Sequence, residues 1–194
     1  MRTTAPSEEL DCPGGARRPL SCDRIVGAAV AFVEANCLAQ LSMRRLGSEL
    51  GVEAMSLYRY FPSKALLVDA VVCRVLGGLE SPAETATDWE PAVRAYARSY
   101  RALARQHPDL LPLLAADGGA RATATEVEQR MQALWRRAGL TGDGPRQAQR
   151  AVQAYVIGSC LQAPAARSED VEADFELGLE ALLSGLRTRL PLSS

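Results

Sequence analysis

Apolar positions recur at three- and four-residue spacing along most of the chain, and no stretch alternates with period two. Ile25, Ala29, Phe32 and Val33 form the inner stripe of a first helix expected over residues 22–36. Ser21 caps it, Asp23 complements its N-terminal dipole, and Leu20 with Ile25 makes a hydrophobic staple. Two short helices follow, over residues 43–50 and 54–60. Ser42 caps the first of these, and Leu41 and Leu46 flank it at staple spacing. Gly51 supplies the left-handed residue that ends it. Val52 and Leu57 repeat the staple around Glu53. Pro62 stops the second short helix, and Ser63 caps a fourth helix over residues 64–76. Gly77, Gly78, Ser81 and Pro82 then break the pattern.

Beyond this break the same periodicity predicts helices over residues 91–106, 109–116, 123–138, 145–163 and 171–190. Pro108, Gly139 and the loops at 117–119, 141–144 and 164–170 separate them, and Pro145 suits a first helical position. The fold class is therefore all-α. The expected layout is a flexible N-terminal tail over 1–19, a DNA-binding domain over 20–67 and a second helical domain over 68–194. The DNA assignment rests on a short helix, a glycine turn and a second short helix with aromatic and polar residues outside. That is the helix-turn-helix arrangement, whose second helix enters the major groove.

Composition adds little to the fold but narrows the function. No apolar run in the 194 residues approaches the roughly 18 of a membrane span, and the N-terminus has no charged-then-apolar leader pattern. A cytoplasmic protein without membrane partners is expected. Residues 17–74 carry eight basic and five acidic side chains, or +3, which leaves −4 on the remainder of a chain whose net charge is −1. A basic module on an acidic body suits a DNA reader whose body stays off the phosphates. Five cysteines (Cys12, Cys22, Cys37, Cys73, Cys160) form no CxxC or Cys/His cluster and read as reduced thiols or as a redox switch. His107 is the only histidine, so neither a Ser-His-Asp arrangement nor a zinc site finds support. At the end of a helix it reads as a C-terminal cap. No catalytic residue, metal or cofactor is expected. Arg17 and Arg18 precede the first helix, as a solvated tail or as an arm reaching DNA.

The run Leu50, Gly51, Val52, then Ser56, Leu57, Tyr58, Arg59, Tyr60, Phe61, Ser63, Lys64 and Leu67, resembles the DNA-binding module of the tetracycline-repressor (TetR) family. The resemblance is strong over about residues 20–75. A second, weaker likeness, to the last helix of the tetracycline-repressor branch, covers Phe175, Glu176, Leu177, Gly178, Leu179, Leu182, Leu183, Gly185 and Leu186.

The resemblance assigns effector binding and dimerisation to the helical domain over 68–194, and it implies a set of site residues. Arg44 occupies a position that reaches a base edge, where Arg bidentate to guanine is the commonest specific contact. Ala54, Met55 and Ser56 face bases from the first turn of the recognition helix. Tyr58, Tyr60 and Lys64 look like phosphate contacts, with partial burial in the small core as the other reading of the tyrosines. Ser42 and Met43 lie against the DNA backbone. The last two long helices would pair with a second copy as a four-helix bundle, with Ala154, Gly158, Ala181 and Gly185 permitting close approach. Tyr96, Tyr100, Leu103, Leu110, Leu114, Met131, Leu134, Trp135 and Tyr155 line an effector pocket or pack as plain core. The family's magnesium–tetracycline site uses histidines where this chain has Glu80 and Leu113, so the metal-bound mode lacks its ligands. The expected function is a homodimeric repressor released from palindromic double-stranded operator DNA by a small apolar or amphipathic effector. The alternatives are a regulator under redox or protein-partner control, and a helical protein that does not bind DNA.

Overall fold

The computed structural model describes residues 19–83, 86, 88–115, 126–162 and 168–190. Among them are α1 (Cys22–Ala35), α2 (Met43–Leu50), α3 (Ala54–Tyr58), α4 (Lys64–Leu76), α5 (Trp89–Gln106), α6 (Leu111–Ala115), α7 (Glu126–Arg137), α8 (Gly144–Leu161) and α9 (Ser168–Arg187), with no strand. The tail expected over 1–19 lies almost wholly outside the described residues.

The helix boundaries follow the capping chemistry. The hydroxyls of Ser21, Ser42 and Ser63 each accept from the backbone N–H three residues on, at 3.2 Å. Gly51 takes φ 67°; its N–H donates to the Ser48 carbonyl and the Val52 N–H to the Gly47 carbonyl, the paired bonds of a Schellman ending. The differences from expectation have local causes. α3 ends at Tyr58 rather than residue 60, because Pro62 biases the chain before it toward an extended course. α5 starts at Trp89, with the Asp88 carboxylate accepting from the Glu90 N–H. Pro91 therefore sits in the first turn, where its missing N–H leaves no hydrogen bond unmade. The helix expected over 109–116 divides into a 3-10 turn, Pro108–Leu110, and α6. A further 3-10 turn, Leu38–Gln40, joins α1 to α2 and left no periodic signal in the sequence.

One apolar core runs from Ile25 on α1 to Leu183 on α9. α4 belongs to both halves. It packs on both α1 and α5, and Val71, Val72, Val75 and Leu76 are buried. Three polar joints add to this. Arg74 pairs with Asp23, His107 Nε2 lies 3.8 Å from Glu34 Oε1, and the Leu38 N–H donates to Asp109 Oδ2 at 3.2 Å. The last two link the end of α5 to the α1–α2 connection.

α9 is tied to α5 by a ladder of ion pairs. Arg98 grips Glu176 with two hydrogen bonds of 2.8 Å, Arg187 reaches Glu90 at 2.6 Å, and Arg94 bridges Glu90 and Glu180. At the last rung Arg101 is itself buried, its guanidinium bonding Glu172 and the Val171 carbonyl and lying 4.2 Å from the centre of the Phe175 ring. The partners are helical repeats apart on two antiparallel helices.

Candidate DNA interface and effector core

The first candidate site is the α2–α3 corner. Leu41, Met43, Leu46, Leu57, Phe61 and Leu67 are buried and fix the two helices on α1 and α4. Gly47 lets the helices meet: a Cβ there would stand 2.8 Å from the Val52 carbonyl oxygen, inside van der Waals contact. What remains outside is specific. Met55 is 70 % exposed, an apolar side chain with nothing to cover it. Tyr58, Arg44 and Lys64 are exposed and make no hydrogen bond to another described residue. Ala54 and Ser56 are half-buried, offering small contacts at the start of α3.

Two of the expected residues are engaged within the protein, and one exposed residue was not among those expected. Met43 is in the core at 4 % exposure, so its side chain is withdrawn and its backbone N–H, in the first turn of α2, is what it presents. Tyr60 is partly exposed, but its hydroxyl donates to the Leu20 carbonyl at 2.8 Å, bracing the end of the α3 turn against the start of α1. That proton is engaged within the protein. Arg59 is an exposed cation at the C-terminal end of α3 with no described partner, and reading the motif for its aromatic residues passed over it. Arg45 turns away from its neighbour Arg44 and donates to Gln40 Oε1 at 2.8 Å.

The second candidate site is the core between α5, α7 and α8. Tyr96, Tyr100 and Leu103 on α5, Leu110 and Leu114 around α6, and Met131, Leu134 and Trp135 on α7 are all buried. Trp89 and Trp135 lie with ring centres 5.4 Å apart, and Tyr96 and Tyr100 5.8 Å apart. Polar groups run through this core. The Trp135 indole N–H donates to Gln149 Oε1 at 3.0 Å, and Gln153 Nε2 donates to the Tyr96 hydroxyl at 3.0 Å. Burial pushes the Tyr96 phenol well above its ordinary value, partly offset by the Gln153 hydrogen bond. Gln149 and Gln153, one turn apart on α8, were not among the expected site residues. Tyr155 stands apart from the others: it packs toward α9, stacked on Phe175 at 5.6 Å with its hydroxyl on the Phe175 carbonyl at 2.7 Å. Glu80 is exposed and Leu113 half-buried. Among the described residues no three His, Cys, Asp or Glu side chains are grouped to hold a metal ion.

A third feature is a groove of about 720 Å³ between α8 and the C-terminal half of α9, lined by Leu140, Ala148, Ala151, Ala181, Leu182 and Leu186 among others. Along the same two helices Ala154, Leu161, Leu177, Ala181 and Gly185 are exposed.

Residues 25–71 match the family model described as bacterial regulatory proteins, tetR family, and residues 81–167 match that of the tetracyclin repressor-like C-terminal domain. The HTH-type transcriptional repressor DrrR1 of Streptomyces coeruleorubidus is 38 % identical over 168 residues, covering 85 % of this chain and 60 % of that protein. An HTH-type transcriptional regulator of Saccharopolyspora erythraea is 30 % identical over 151 residues, 78 % of this chain and 64 % of its own length. The chain thus spans less than two thirds of these curated relatives. Among solved structures, the Streptomyces coelicolor TetR family protein ActR in complex with (S)-DNPA matches with TM-score 0.74 and 26 % identity, over 90 % of this chain and 100 % of that one. A TetR variant of Acinetobacter baumannii AYE in complex with minocycline shares the fold with TM-score 0.73 and 24 % identity, over 88 % and 98 % of the two chains. With both family domains matched in order along one polypeptide, and a Gly51 turn that leaves Arg44, Met55 and Tyr58 on the outside, this chain belongs to the tetracycline-repressor (TetR) family of bacterial regulatory proteins.

Proposed function

We propose that the chain is a transcriptional repressor that binds a palindromic operator as a homodimer and is released by a small apolar or amphipathic effector. The observation that carries this reading is the division of labour on either side of α4. One side presents Met55 and Tyr58, exposed on a rigidly packed helix-turn-helix; the other encloses a buried aromatic core with polar groups inside it. The named role of the DrrR1 relative as a repressor supports the first half. The ActR structure in complex with actinorhodin and the Acinetobacter structure in complex with minocycline support the second.

Arg44 and Met55 read bases, Tyr58, Lys64 and Arg59 hold phosphates, and Ser42 with the Met43 N–H sits against the DNA backbone. The exposed small and apolar residues of α8 and α9 form the face that pairs with a second copy. Repression places the protein with the chromosome in the cytoplasm, and among the described residues no helix is long and apolar enough to cross a membrane. Selection from random DNA duplexes tests the reading. A two-fold, imperfectly palindromic site bound by two chains is the expected result. Enrichment of no sequence overturns the repressor reading, and a lone asymmetric half-site bound by one chain overturns the homodimer.

A further inference from the structure

The core between α5, α7 and α8 contains a buried hydrogen-bond donor that is not fully satisfied. The indole N–H of Trp135 can only donate, so the 3.0 Å contact fixes which end of the Gln149 side-chain amide is oxygen. The other end, Nε2, is enclosed and makes no well-formed hydrogen bond, with the Tyr96 hydroxyl close beside it and Gln149 only 4 % exposed. Buried polar groups are rarely left in this state. Next to it on α8, Gln153 Nε2 donates to the Tyr96 hydroxyl oxygen. That bond uses an acceptor lone pair of Tyr96 and leaves the phenol's own proton available.

We propose that Gln149 Nε2 and the Tyr96 hydroxyl are a paired donor site for the neutral carbonyl oxygen of a flat aromatic effector. The inference rests on the reading of this core as the effector site and specifies the chemistry recognised there. Two donors side by side select a ligand oxygen that accepts. The ring pairs Trp89–Trp135 and Tyr96–Tyr100 make the surroundings of these donors aromatic, which suits a flat aromatic molecule. The carboxylate of Glu128 acts on Tyr96 and disfavours an anionic ligand, so a ketone or quinone oxygen fits better than a carboxylate.

The test compares 9-fluorenone with fluorene, which share a shape and differ in a carbonyl against a methylene. Binding to the full chain is followed through the emission of Trp89 and Trp135, the two tryptophans present. Fluorenone is expected to bind about tenfold or more tightly than fluorene. Gln149→Met should bring the two affinities to within about twofold of each other, and Tyr96→Phe should lower the preference by about threefold. Equal binding of both probes to the unaltered protein, or a preference that persists in folded Gln149→Met, overturns the donor pair and leaves the core standing as the site. Binding of neither probe overturns the site reading along with it. If Gln149→Met fails to fold by circular dichroism, Tyr96→Phe decides: an undiminished preference there overturns the proposal.

Discussion

The Tyr155 hydroxyl donates to the Phe175 carbonyl at 2.7 Å across a space that exists because residue 178 is glycine. A Cβ at Gly178 would stand 2.3 Å from that hydroxyl and 2.7 Å from the ring carbon bearing it. The ring is pinned by its hydrogen bond and by stacking on Phe175, so it cannot yield without losing both. Gly178→Ala is expected to destabilise the chain by about 1–3 kcal/mol, read by thermal unfolding. Gly185 lies two turns further along α9, and a Cβ there meets nothing within 4 Å. If α8 and α9 pair with a second copy as proposed, Gly185→Leu should leave the chain folded yet shift it from dimer to monomer in sedimentation, because it fills the space that copy would occupy. An unaltered dimer would remove the α8–α9 face from the interface.

Gly47 poses the same question in the DNA-binding module. The clash it avoids is with backbone, the Val52 carbonyl at 2.8 Å, so no side-chain rotation relieves it. Gly47→Ala should part α2 from α3, costing about 1–3 kcal/mol and lowering operator affinity more than stability alone explains. Gly51→Ala places a Cβ at φ 67° in open space, and should cost about 1–2 kcal/mol of stability with the α2–α3 packing retained. Melting curves and operator titrations of both variants separate the two effects.

The surface residues divide by what holds them. Lys64→Ala should weaken binding to all sequences and reduce the slope of log affinity against log salt by about 1. Arg44→Ala should cost about 1–3 kcal/mol, mainly at one base pair. Tyr58→Phe should weaken operator binding by removing an uncommitted donor. Tyr60→Phe should instead cost about 0.5–1.5 kcal/mol of stability, through loss of the bond to Leu20, with little change in the DNA-bound state. The four variants are measured against single-base operator variants at two salt concentrations. A uniform loss for Arg44→Ala would refute its base-reading role.

The helix-turn-helix was legible because its signals are local: two serine caps, two staples and one left-handed glycine lie within residues 41–67 and act over a few positions. The inner polar chemistry was not. Gln149 and Gln153 read as interruptions of an apolar helix until α5 and α7 bring Tyr96 and Trp135 against them. The α5–α9 ladder was invisible for the same reason, since its partners are 71 to 97 residues apart in sequence. Tyr155 shows the limit from the other side: as an aromatic residue in an apolar helix it looks like pocket lining, and only the gap at Gly178 shows which neighbour it serves.

That ladder makes a prediction about pH. Arg187 and Arg94 hold the Glu90 carboxyl below its ordinary 4.5, Arg98 does so for Glu176, and Arg94 for Glu180. Their folded pKa values are depressed, so the stability they contribute is present above about 4.5 and is lost as the pH falls through the lower folded values. Unfolding midpoints should fall as pH drops below 4.5 and less steeply in Arg98→Ala than in the parent. Most rungs are partly exposed, so a double-mutant cycle on Arg98 and Glu176 should give about 0.2–1 kcal/mol, diminished by salt. Glu172→Gln should cost more, about 1–3 kcal/mol, because it leaves the buried Arg101 guanidinium without its carboxylate.

Release from DNA requires that the aromatic core and the α2–α3 corner favour different arrangements of the parts between them. Those parts are α4, buried through Val72, Val75 and Leu76, and the joints from His107 to Glu34 and from Asp109 to the Leu38 N–H. A 100-fold loss of operator affinity on effector binding needs about 2.7 kcal/mol of coupling, and linkage requires that operator DNA weaken effector binding by the same factor. Calorimetric titration of an effector found by thermal-shift screening, into free and operator-bound protein, measures that factor directly. Asp109→Ala removes an exposed joint outside both candidate sites. It should therefore leave both separate affinities nearly unchanged while reducing the factor between them. Equal effector affinities for the free and bound parent protein would exclude release by this route, and an unchanged factor in Asp109→Ala would leave the coupling to α4 and the His107–Glu34 joint.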